Sequence, residues 1–170
     1  SFTISDAELK GYADEATKWE DEHNHLCKTT DQYENTKAYA ARLEKIVANV
    51  PADLIKEYNL DIKAYHVTDV NAFARPNGAI RIFISLMDLM TADQILAVVG
   101  HEIGHIVNKD SKDAFVTVWR MSALKDAAGA VGGNAVSTLT DSQLGDLAEA
   151  LGNAQYSKKQ ENGADDYGYD

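Results

Sequence analysis

Residues 101 to 105 read His-Glu-Ile-Gly-His and sit inside a helix-periodic apolar run of Ile95, Leu96, Val98, Val99, Ile103 and Ile106. Thr91 and Gln94 form a capping box ahead of the run, so the spacing predicts a helix reaching about Asn108. On that helix His101 and His105 are one turn apart and leave the same face, where both imidazoles can hold one zinc ion. Glu102 then lies beside the ion, placed to take a proton from a water whose pKa zinc has lowered. This is the arrangement of metal-assisted peptide hydrolysis. With 5 His in 170 residues the pattern arises by chance in about one chain in a hundred. Burying two imidazoles and a carboxylate with no metal would leave several polar groups unsatisfied, which favours a metal.

A catalytic zinc needs a third protein ligand. His23, His25 and Cys27 share a face only on a strand, yet they follow a helical pattern. His66 stands alone in a strand pattern. Glu161 and Asp165 suit the role better: on a last helix from Lys158 onward they are four positions apart and stack on one face. One could bind zinc while the other orients a ligand histidine.

The rest of the chain supplies a frame for this helix. Ser5 with Glu8, Thr29 with Gln32 and Thr140 with Gln143 read as further capping boxes, which predicts two helices in the first fifty residues and one after Thr140. Pro51 ends the first helical stretch. Short runs at Ile62 to His66, Asn71 to Ala74 and Ala79 to Ile84 suit strands, and Pro76-Asn77-Gly78 is a hairpin turn. Ser111 restarts a helix through Leu124, and Gly129 to Asn134 interrupt it. The class is α+β, mainly helical with a small antiparallel sheet, in one domain over residues 1–170: a helical segment 1–50 and a core 51–170. The net charge of −11 argues against nucleic acid or an anionic membrane surface as partner. The most apolar stretch, Met121 to Leu139, is broken by Lys125, Asp126, Asn134 and several glycines, so no membrane span is expected. Cys27 is the only cysteine and leaves the redox compartment open. The chain starts at Ser1 with no leader pattern, which reads as a trimmed start.

Three blocks, NAFARPNGAIRIF at 71–83, HEIGH at 101–105 and QENGAD at 160–165, together resemble the gluzincin zinc metallopeptidases of family M forty-eight, the HtpX, BepA and LoiP group. The closing stretch QYSKKQENGADDYGYD looks most like the envelope-lipoprotein branch of that group. The resemblance implies a zincin-like fold with one zinc per chain held by His101, His105 and Glu161. It also implies Glu102 as general base and Asp165 bracing a ligand histidine. It places Asn71, Ala72, Phe73 and Ala74 on a sheet edge where a polypeptide substrate adds as a strand. It further implies an endopeptidase acting on unfolded or misfolded proteins in the bacterial cell envelope, with a possible lipid anchor upstream. The family continues beyond the position of Asp170, so a missing C-terminal part is expected, and Tyr167 and Tyr169 are the candidate donors to the transition state within the chain. Gly163 departs from the family pattern, where a larger residue is usual. Two other readings fit the same residues: a zinc-stapled, chaperone-like binding module without catalysis, and a latent peptidase whose cleft is covered by the Gly129 to Asn134 region or by acidic helices.

Overall fold

The computed structural model describes residues 4–122 and 139–168, with the side chains of 166–168 excepted. Helix α1 (Asp6–His23) starts at the Ser5–Glu8 capping box, and α2 spans Glu34–Val47. The Thr29–Gln32 box does not form. Leu26 bridges to Tyr65, the Cys27 amide donates to the Ala64 carbonyl, and the Asp31 carboxylate accepts from the Lys28 amide. These bonds hold the segment against the sheet as a turn, so α2 begins only after Tyr33. Pro51 opens a short helix that the strand-like composition downstream concealed, α3 (Ala52–Tyr58), which ends on Asn59 in the left-handed region at φ 52°.

Strands β1 (Asp61–Tyr65), β2 (Ala72–Ala74) and β3 (Ala79–Phe83) form one sheet in the order β1-β3-β2. The expected antiparallel sheet is in fact mixed. The Pro76-Asn77-Gly78 turn makes β2 and β3 an antiparallel hairpin, whereas β1 joins β3 in parallel, because residues 66–78 carry the chain back before β3 begins. Gly78 takes φ +97°, and a Cβ there would strike the carbonyl oxygens of Tyr58 and Asn59. Only glycine fits both demands.

Helix α4 (Ile84–Leu89) follows directly, then α5 (Ala92–Val107) from the Thr91–Gln94 box, α6 (Asp110–Met121), α7 (Asp141–Asn153) from the Thr140–Gln143 box, and α8 (Lys158–Gly168). Gly129 to Asn134 lie outside the described residues, as does Tyr169. Two apolar clusters hold these elements. One packs Ile80 and Ile82 of the sheet with Leu43 and Ile46 of α2 and with Ile95, Val99, Ile103 and Ile106 of α5. The other joins α1, α6 and α7 through Tyr12, Phe115, Trp119, Leu147 and Leu151. Because the apolar stripe of α5 is committed to the first cluster, its histidines point away from the sheet core and toward α8.

A polar clamp ties α1 to the sheet. Arg81, fully buried, donates from Nε and Nη2 to the two oxygens of Asp21, each at 3.0 Å, and from Nη2 and Nη1 to the Asp61 carboxylate and carbonyl at 3.0 and 2.7 Å. Beside it, buried Arg75 pairs with buried Glu20 at 3.1 Å and lies over the Phe73 ring. No described helix is long and apolar enough to cross a membrane.

Candidate metal centre

Helices α5 and α8 approach through Gly104 and Ala164. A Cβ on Gly104 would come within 2.7 Å of the Ala164 carbonyl oxygen and 2.8 Å of its Cα, so the glycine of HEIGH sets how close the two helices lie. Gly163, where the chain departs from the resemblance, is not the contact point: a Cβ there would meet only Asn108 Nδ2, at an ordinary 3.5 Å. Opposite consequences are expected from the same substitution. Gly104→Ala should force the helices apart and loosen the packing of α5 on α8 by about 1–3 kcal/mol. Gly163→Ala should instead stabilise the fold by up to about 1 kcal/mol. Thermal unfolding of both variants checks this, and an unchanged midpoint in Gly104→Ala would remove the spacer role.

The close approach brings four side chains together. His105 Nε2 lies 2.9 Å from Glu161 Oε1 and His101 Nε2 lies 3.2 Å from Glu161 Oε2. The two imidazoles stand nearly perpendicular, at 86°. Asp165 meets His101 Nδ1 at 2.7 Å, so the i to i+4 pair on α8 divides its work between a carboxylate facing both Nε2 atoms and a brace behind one ring. One ligand atom from each of His101, His105 and Glu161 falls within 4.8 Å of the others. Among the described residues no second such group converges. His23 Nδ1 lies against the Trp19 carbonyl, His25 Nε2 against Asp31, and His66 Nε2 against Asn35, while Cys27 is buried in the sheet cluster.

The brace behind the second histidine is absent from the sequence reading. Asp110 Oδ2 lies 2.9 Å from His105 Nδ1, and both residues are buried. Asp110 reaches back because Lys109, at φ 64°, turns the chain sharply between α5 and α6. A left-handed lysine carries no compositional mark, unlike glycine or asparagine, so neither periodicity nor turn chemistry reveals it.

These residues fit a zinc ion. Two imidazoles and one carboxylate are the ligand chemistry of catalytic zinc sites, and carboxylates behind both Nδ1 atoms fix the tautomer that leaves Nε2 for the metal. Glu102 supplies an independent sign. It is buried and its Oε2 atom has no hydrogen-bond partner, a costly placement for a group with only a structural role. Burial pushes its carboxyl up to about 8, the charge of Glu161 adds to this, and the Arg75 guanidinium opposes it.

Glu102 borders a cavity of about 100 Å³ between β2 and the end of α7, lined also by residues 71–76, Ser111, Ala114 and Tyr156. The Phe83 amide donates to the Asn71 carbonyl and the Arg75 amide to the Ala79 carbonyl. In the alternating antiparallel ladder, Asn71, Phe73 and Arg75 therefore face β3, and the backbone groups of Ala72 and Ala74 face the open edge. The Asn71 side chain already accepts from the Ala72 amide at 2.8 Å. Tyr156, unmarked by any motif, stacks on His105 with ring centroids 3.7 Å apart, and burial together with nearby Glu102 raises its phenol well above the usual value.

Comparison with known proteins agrees with this geometry. Residues 35–170 match the sequence profile described as "Peptidase family M48". The chain is 40% identical to "Metalloprotease LoiP" of Escherichia coli (strain K12) over all of its length and 64% of that protein's. It is 36% identical to "Metalloprotease YcaL" of the same organism, over 99% of this chain and 63% of that one. It therefore spans a little under two thirds of the length of these relatives. A shorter similarity, 48% over 54 residues, links it to "Protease HtpX" of Actinobacillus pleuropneumoniae serotype 5b (strain L20), covering 29% of this chain and 19% of that one. The profile match covers most of the chain and both full-length similarities carry metalloprotease names, so this chain belongs to peptidase family M48.

Proposed function

We propose that the chain is a zinc-dependent endopeptidase of unfolded or misfolded polypeptides, acting in the bacterial cell envelope with one zinc ion held by His101, His105 and Glu161. The observation that carries the reading is the convergence of those three side chains beside the buried, unpartnered Oε2 of Glu102. The metalloprotease names of the relatives support it.

When bound, zinc supplies a Lewis acid that polarises the scissile carbonyl and makes water a stronger acid. The protein's own groups then do the rest. An extended substrate pairs with the open edge at Ala72 and Ala74, which reads main chain rather than side chains and suits unfolded proteins. One neighbouring side chain enters the cavity of about 100 Å³ beside Glu102. Ionised by the positive charge of a bound ion beside it, Glu102 Oε2 takes a proton from the water as its oxygen bonds to the carbonyl carbon, and returns that proton to the amine nitrogen as the C–N bond breaks. Asp165 and Asp110 keep both imidazoles aligned throughout. A non-catalytic zinc staple has no use for a buried carboxylate without a partner.

Removing a ligand tests the metal reading separately from the chemistry. Glu161→Ala should lower zinc content well below one ion per chain and abolish cleavage of an unfolded protein, with metal analysis and proteolysis measured on the same sample. Full zinc occupancy in that variant would take Glu161 off the ligand set.

A further inference from the structure

Tyr156 meets the site at two places. Its ring lies flat on the His105 imidazole, centroids 3.7 Å apart and planes 17° from parallel. It lines the same cavity as Glu102. Its place is also fixed locally. Ser157 Oγ accepts from the Gln160 amide at 3.1 Å, and Gln160 Oε1 accepts from the Ser157 amide at 2.9 Å, a capping box that makes Ser157 the N-cap of α8. Tyr156 is then the residue just outside the helix, immediately before its cap. The capped helix start thus fixes the backbone from which the Tyr156 ring reaches His105.

Asp110 at Nδ1 and Glu161 at Nε2 hold the two ring nitrogens of His105 at its edge. The Tyr156 ring covers one face of the same imidazole, so tilting or rotation about Cβ–Cγ toward that side is blocked by contact as well.

We propose that Tyr156 is a positioning residue of the metal site, its ring fixing the plane of the His105 imidazole so that Nε2 is presented together with Glu161. The proposal rests on the reading of His101, His105 and Glu161 as zinc ligands. The aromatic face is what matters, so phenylalanine should replace tyrosine and an aliphatic residue should not.

Zinc affinity of the full chain, measured by competition with a chromophoric chelator, tests this without recourse to activity. Tyr156→Ala and Tyr156→Leu should each bind zinc roughly tenfold more weakly, and Tyr156→Phe should stay within about twofold of wild type. Thermal unfolding of the metal-free proteins accompanies the titrations. A general loss of structure would lower the unfolding midpoint, whereas a positioning role lowers zinc affinity in variants that remain folded. Tyr156→Leu fills much of the volume of the ring and decides the matter if Tyr156→Ala does not fold. Wild-type affinity in the leucine variant, or a phenylalanine variant as weak as the leucine one, overturns the proposal. A wild-type chain that takes up no zinc removes the ligand reading itself, and the proposal with it.

Discussion

The Glu102→Gln variant is expected to bind zinc as the wild type does and to cleave an unfolded protein about 10²- to 10⁴-fold more slowly. Glutamine keeps the shape of the side chain and the packing of α5, because Glu102 is not among the converging ligand atoms. It cannot accept the proton of the attacking water at Oε2, nor deliver it to the leaving amine. Burial holds the wild-type carboxyl up to about 8, so above the ordinary carboxylate value the metal-free chain must take up a proton to fold, a cost that the neutral amide does not carry. The metal-free variant should therefore be at least as stable as the parent near neutral pH. Zinc content, thermal unfolding and cleavage rate on one preparation separate these effects. Cleavage at the wild-type rate with zinc bound would eliminate Glu102 as the base. Loss of zinc would instead show that its carboxylate helps hold the ion.

The largest effect on stability is expected outside the converging ligand group, at Arg81. Replacing it with methionine fills much of the same volume but strands Asp21 and Asp61, which between them receive three charge-assisted bonds from the guanidinium. The Tyr65 hydroxyl also donates to Asp21, so a second buried group loses its setting. Removing one member of a buried ion cluster costs about 3–5 kcal/mol, and the lower figure is apt here because Asp61 is half exposed and can be rehydrated. That is a large share of the roughly 5–15 kcal/mol by which a domain is stable. Urea unfolding of Arg81→Met should show a strongly lowered midpoint, and Arg81→Lys, which keeps the charge but loses the forked geometry, should fall between. A shift below about 1 kcal/mol would show that the clamp is a consequence of the fold and contributes little to it. Since Arg81 pairs with Phe73 across the β2–β3 ladder, its loss should also loosen the edge proposed to receive substrate.

The local rules of the sequence were legible where one short stretch satisfied them alone. The boxes at Ser5, Thr91 and Thr140 all cap helices, and the Pro76-Asn77-Gly78 turn makes its hairpin. The Thr29–Gln32 box failed because its segment is bound by backbone pairing to β1, a partner more than thirty residues away. The same kind of long-range pairing set the direction of β1. Its composition says strand, but its parallel alignment with β3 depends on how the intervening chain returns, which no residue pattern within β1 records.

The candidate site divides along the same line. Helical periodicity put His101 and His105 on one face and Glu161 and Asp165 on another, from the 3.6-residue turn alone. Sequence by itself also singled out Glu102, since a carboxylate between two such histidines has a chemical meaning wherever the helix lies. Only the tertiary structure decided that both Nε2 atoms turn to one carboxylate, that Gly104 rather than Gly163 lets the helices close, that Asp110 braces His105 from beyond a left-handed lysine, and that Tyr156 lies on its ring. The physical reason is range. Capping, turn and periodicity act over about one to two helical turns, whereas the meeting of α5 and α8 depends on backbone contact between residues sixty positions apart.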